Sequence, residues 1–110
     1  MKAYDLRAIA ASAPSAGNDR PAVAVVHDHA DGRLVVFRIA PGQRVASHTS
    51  SSSVFMTVLA GRGLVSGGDD EREVEAGDVL TIAPREPHGM RAPVEELVIA
   101  ALIAPRPGGH

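Results

Sequence analysis

The chain has 110 residues, of which 45% are hydrophobic and 3% aromatic, and its 11 Lys plus Arg against 13 Asp plus Glu leave a formal net charge of −2. That length suits one compact domain, and the weakly acidic balance lacks the basic surplus needed for phosphate contacts. The absence of Cys excludes disulfides, Cys-ligated zinc and thiol catalysis, and so few aromatics supply no stacking platform for single-stranded nucleic acid.

No stretch is long and apolar enough to cross a bilayer. The first residues end in small side chains, but Asp5 and Arg7 interrupt them before any useful apolar block, which argues against a secretory leader. A cytoplasmic protein with no nucleic-acid and no membrane partner is expected.

From about Tyr4 to Ala11 the sequence predicts one or two helical turns, with Leu6 and Ile9 on one edge. Ser12 to Asn18 reads as a loop, rich in poor helix formers and breakers. From Pro21 onward the texture is β. Short Val-, Ile- and Leu-rich runs recur every eight to twelve residues, a spacing that points to a sandwich or barrel. The predicted strands are Val23–Asp28, Leu34–Ala40, Arg44–Thr49, Val54–Ala60, Gly63–Ser66, Arg72–Glu75, Val79–Ala83, His88–Arg91 and Val94–Ile103. Gly, Pro and Asp clusters separate them, among them Ala30-Asp31-Gly32, Pro41-Gly42 and Gly61-Arg62-Gly63. The division is thus an N-terminal extension (1–20), a β domain (21–105) and a flexible tail (106–110).

So small a sheet protects its apolar edges best by closing into a barrel or jelly roll. The last strand is apolar on both faces, with Leu97, Ile99 and Ala101 on one and Val98, Ala100 and Leu102 on the other. Two-faced burial predicts a homodimer through the outer face, or else cover by the N-terminal segment.

Two stretches resemble the motifs of the small single-domain cupins. The family's first motif runs Gly, five residues, His, one residue, His, three or four residues, Glu, six residues, Gly. Here Gly42 is followed by five residues and His48, then Ser50 at the second His position, Val54 at the Glu position and Gly61 at the close. The second motif runs Gly, five residues, Pro, one residue, Gly, two residues, His, three residues, Asn. Here Gly77 opens GDVLTIAPREPH, with Ala83 at the Pro position, Arg85 at the second Gly, His88 at the ligand His and Ala92 at the Asn. The resemblance covers about Leu34 to Ile103. It implies an all-β, cupin-like jelly-roll β-barrel following a short N-terminal extension. In complete cupins three His and one Glu hold manganese, iron, nickel or zinc. The resemblance would leave His48 and His88 as metal ligands here, with the acidic ligand replaced by Val54.

The residues can also be read without the family. Alternate residues of a strand share a face, so His48 goes with Ser50, Val54 with Met56 and Val58, and His88 with Met90. In a closed barrel these seven would converge on one cavity of two imidazoles, a hydroxyl, two thioethers and aliphatic groups. An imidazole offers one donor and one acceptor, suited to orienting a polar ligand in an apolar pocket. A divalent ion there would lack an anionic partner, and its desolvation would be costly.

Elsewhere, His27-Asp28-His29 places two imidazoles on one strand face, expected with Val23, Val25, Val35, Phe37 and Ile39. Without further ligands it reads as a polar hairpin end. Ser50 to Ser53 has no nucleophile-elbow context and reads as a polar connection at the barrel mouth. Asp69, Asp70, Glu71 and Glu73 read as a solvated hairpin tip. Arg85 precedes His88 in a loop, within reach of an anionic ligand or simply at the surface.

The function expected is small-molecule binding in the barrel, by His48, Ser50, Val54, Met56, Val58, His88 and Met90. The alternative is a metal-dependent dioxygenase or isomerase with Zn, Mn, Fe or Ni held by His48, His88 and water.

Overall fold

The computed structural model describes residues 1–15, 17 and 19–107. One short helix, α1 (Leu6–Ser12), precedes eight strands: β1 (Ala22–His29), β2 (Gly32–Ile39), β3 (Arg44–His48), β4 (Ser53–Gly67), β5 (Asp70–Glu75), β6 (Val79–Ile82), β7 (His88–Arg91) and β8 (Leu97–Ala104). All the pairings are antiparallel, and the sheet runs β1-β2-β8-β4-β7-β3, with β5 and β6 also on β4. The sheet curls over itself into the expected jelly roll.

Strand β4 is the hinge of this architecture. The sequence predicts two strands broken at Gly61-Arg62-Gly63, but β4 runs unbroken through them for 15 residues. Its first half pairs with β6 and β8, and its second half with β5 and β7. The register with β8 shifts between Val58 and Ala60. Gly61 follows at φ 76°, a conformation open to glycine and strained for other residues. The glycines therefore bend a strand from one layer to the other rather than end it.

One core fills the inside of the curl. Ile39, Met56, Val58, Leu97 and Ile99 are essentially inaccessible there, with Val54, Val65, Ile82 and Met90 around them. A smaller core lies on the outer face, where Ala10 and Leu6 of α1 meet Val36, Val98 and Ala100. Asp5 starts α1 by accepting from the Ala8 N–H at 3.1 Å. Arg38 Nη1 donates to the Ala10 and Ala11 carbonyls at 2.6 and 2.7 Å, satisfying the last turn. Arg7 Nη2 donates to the Leu59 carbonyl at 2.7 Å. The N-terminal segment thus covers the outer face of β8 at Val98 and Ala100, while Leu102 and its cross-strand partner Phe55 stay exposed.

Strand β8 starts at Leu97 rather than Val94, which is exposed. In the tail, the Arg106 guanidinium is 2.8 Å from Asp28, and residues 108–110 lie outside the described residues, as do Ala16 and Asn18 of the early loop.

Candidate functional site

His48 closes β3 and His88 opens β7, and the two face each other as a cross-strand pair. A register shift between Val45 and His48 sets this pairing. Their ring centroids are 4.3 Å apart and tilted by 59°. His88 is buried and His48 exposed, so the pair spans the boundary between core and solvent.

Each ring is fixed the same way. His48 Nδ1 lies 3.0 Å from the Ala46 carbonyl, and His88 Nδ1 lies 2.9 Å from the Glu86 carbonyl. A carbonyl oxygen has no proton to give, so both Nδ1 atoms must donate. In the neutral rings that leaves each Nε2 with a bare lone pair.

Ser50, two residues past His48, is half-buried, and its Oγ accepts from the Ser52 N–H at 3.1 Å. Its carbonyl accepts from the Arg85 N–H at 2.7 Å, tying the loop after β3 to the loop before β7. Arg85 takes φ 68°, unusual for a side-chain-bearing residue, at the position of the motif's glycine. Val54, Met56, Val58 and Met90 lie in the main core, all at most 3% exposed. Four surface depressions of about 180–370 Å³ are lined without either imidazole. The open end of the curl is where the imidazoles meet solvent.

His48 and His88 have no third His, Cys, Asp or Glu beside them among the described residues. Among the described residues no three His, Cys, Asp or Glu gather around a point where an ion could sit. Two imidazoles and a protonated hydroxyl bring no negative charge, and the position facing them in the family pattern holds the apolar Val54.

The histidines of β1 are elsewhere. A register shift after Val25 pairs His27 with Leu34, whereas Val25 pairs with Val35. The extra residue flips the alternation. His27 therefore shares a face with Leu34, opposite to Val23 and Val25, contrary to the sequence expectation. Its Nε2 is 3.0 Å from Asp31 Oδ1, and its ring is 4.7 Å from that of His29. His27 lowers the pKa of Asp31, first through that hydrogen bond.

Sequence reading passed over Arg33. It alternates with Val35, Phe37 and Ile39, the face of β2 that looks into the curl. A charged residue in an otherwise apolar alternation was the available sign.

The family model of the cupin domain matches residues 35–103. A search of the curated proteins finds no match. Among solved structures, an uncharacterized conserved protein with a double-stranded β-helix domain from Klebsiella pneumoniae superposes with a TM-score of 0.85 at 24% identity, covering 99% of this chain and 94% of its own. An RmlC-like cupin protein from Desulfovibrio desulfuricans gives a TM-score of 0.81 at 28% identity, with 96% and 98% covered. The DMSP lyase of Ruegeria pomeroyi gives 0.71 at 18% identity, with 78% of this chain and 47% of that one covered.

Proposed function

For a chain that belongs to the cupin domain family, we propose binding of a small, partly apolar molecule at the open end of the barrel, anchored by His48 and His88. The observation that carries this reading is the matched orientation of the rings. Both Nδ1 atoms are committed to backbone carbonyls, so both Nε2 lone pairs are available to accept from a ligand hydroxyl or N–H. The Ser50 hydroxyl adds a polar group beside them. Val54, Met56, Val58 and Met90, all in the main core, would supply the apolar side of the site.

Catalysis by a bound metal at the same histidines would leave the ion with only two protein ligands, fewer than the three usual in catalytic sites. Some structural neighbours are enzymes, the DMSP lyase among them, but that likeness reaches the fold alone.

The test is titration with phenol, a small apolar donor, followed through the imidazole nitrogens in long-range 1H–15N spectra. The free protein should show the Nδ1–H form of both rings, and phenol should shift both Nε2 signals. His48→Ala, at the exposed ring, should lose the response without unfolding. An Nε2–H form of either ring, or phenol binding indifferent to His48→Ala, would refute the reading. Stoichiometric metal in protein purified without chelator, lost in both His48→Ala and His88→Ala, would favour the enzyme.

A further inference from the structure

Arg33 is the one described residue with a buried side-chain polar atom that lacks a hydrogen-bond partner, its Nε. An unmet donor on a charged side chain is costly in a finished fold and calls for a partner: an ordered water, an ion or a ligand. The nearest acid in register is Asp28, paired with Arg33 across β1 and β2. That carboxylate is engaged instead by Arg106, whose Nε and Nη2 donate to it at 2.8 and 3.2 Å.

The topology puts Arg33 toward the imidazole end of the fold. Strand β2 runs from Gly32 to Ile39, and β3 returns from Arg44 to His48. The reversal between them is tight: the Gln43 N–H donates to the Ala40 carbonyl at 2.9 Å, and the Gln43 side chain accepts from the Ala40 N–H at 2.9 Å. The beginning of β2 therefore lies at the same end of the fold as the finish of β3. Arg33 is also in the cross-strand row Arg33–Ile103–Val54–Ile82, which places it two strands, about 10 Å, from Val54 on the inner face. Facing layers of the curl are about 10 Å apart, a gap that an arginine and an imidazole narrow from either side.

We propose that Arg33 binds the carboxylate of the ligand whose hydroxyl is accepted by the His48–His88 pair, so that the substrate class of this site is the small hydroxyl-bearing monocarboxylates. This rests on the imidazole-pair reading above and adds the charge and the second anchor. Guanidinium donors in a fork match the two oxygens of a carboxylate. A single positive charge with Asp28 behind it favours a monoanion over a dianion. The same arrangement accounts for the missing acid at Val54: a carboxylate brought by the ligand supplies the negative charge that the chain does not.

The experiment uses 4-hydroxybenzoate as probe, with 4-hydroxybenzamide, phenol and inorganic phosphate as comparisons, by calorimetry and by the resolved Arg33 Nε–H resonance. The carboxylate should bind at least about tenfold more tightly than its amide, the range of one charged hydrogen bond, and should shift the Arg33 signal. Arg33→Gln should remove that advantage while leaving phenol binding at the imidazoles intact. Its melting temperature should stay level or rise; a fall without loss of carboxylate preference would assign Arg33 a structural role and overturn the proposal. Equal binding of acid and amide, with phenol still bound, would overturn the carboxylate anchor alone. Tighter binding of phosphate would overturn the choice of a monoanion. Failure of every probe to bind would overturn both this proposal and the imidazole-pair reading.

Discussion

Replacing Gly61 by Ala tests how the fold turns one strand into two layers. Gly61 sits at φ 76°, and a Cβ there would overlap the Glu96 carbonyl oxygen and come within 2.9 Å of the Glu96 carbonyl carbon. Those are backbone atoms of the segment entering β8, where Gly61 pairs with the inaccessible Leu97. They can move only by lifting β8 off β4, at the seam of the core. The left-handed conformation alone costs about 1–2 kcal/mol for a residue with a side chain, and the forced separation adds about 1–3 kcal/mol as overpacking. The total, about 2–5 kcal/mol, is a large share of the ordinary 5–15 kcal/mol stability of a domain. Gly42 is the control, since it has φ 88° but open space around its missing Cβ. Gly42→Ala should therefore show only the conformational cost of about 1–2 kcal/mol. Urea unfolding of the two variants and the parent, read at unchanged m, gives the difference directly. Equal losses for Gly61→Ala and Gly42→Ala would refute the claim that close approach of β8 is what requires glycine at 61.

Two further outcomes follow from the charges. Glu71 accepts from Arg91 Nε and Nη2, both at 2.7 Å, and that pairing lowers the Glu71 pKa and raises that of Arg91. Because the folded pKa is depressed, the pair stabilises the fold above the usual carboxylate range, near 4.5, and is lost as pH falls through the lower folded value. Carboxyl-carbon NMR should show Glu71 titrating below its ordinary midpoint, and Arg91→Gln should return it there; an unchanged midpoint would show that the ion pair does not persist in solution. At the imidazole end, Val54→Glu should create the acidic ligand that two histidines lack. The metal-free variant should be less stable than the parent, because the new carboxylate is buried, and zinc or nickel should bind stoichiometrically and restore it. No metal uptake in elemental analysis would mean that His48, His88 and position 54 do not converge.

Much of the fold was legible because its punctuation is local. Gly42, Gly77 and Pro41 mark changes of direction that any chain of this sequence must make, and the alternating apolar runs between them fix which faces are buried. The pairing of His48 with His88 followed from motif spacing, and the structure sets their rings 4.3 Å apart. Less legible were features decided by long-range pairing. Gly61 and Gly63 read as a turn because glycine pairs are turn residues in isolation, yet hydrogen bonding to β8 and β5 on either side keeps β4 extended. The flip of His27 depends on one extra residue near Val26, and no local property of Val26 announces it. The cover over Val98 and Ala100 comes from α1, whose apolar edge was visible in sequence while its docking position was set by Arg7 and Arg38.

The pattern at the open end is one of exchanged charge. A metal-binding barrel gathers negative charge to hold a cation; Val54 stands here where the family has the acid, and Ser50 where it has a second, neutral imidazole. On the proposal above, what remains at that end is a cation on Arg33 and two hydrogen-bond acceptors on His48 and His88. Packing alone would favour an apolar residue at 33, like Val35, Phe37 and Ile39 beside it, since an unsatisfied buried donor costs about 1–3 kcal/mol. Such a cost is ordinary where binding rather than folding decides the residue, because a ligand that satisfies the donor returns the loss on binding. On that proposal, the apolar residue at 54 and the unpaired Nε of Arg33 suit this end of the fold to an anion rather than a cation.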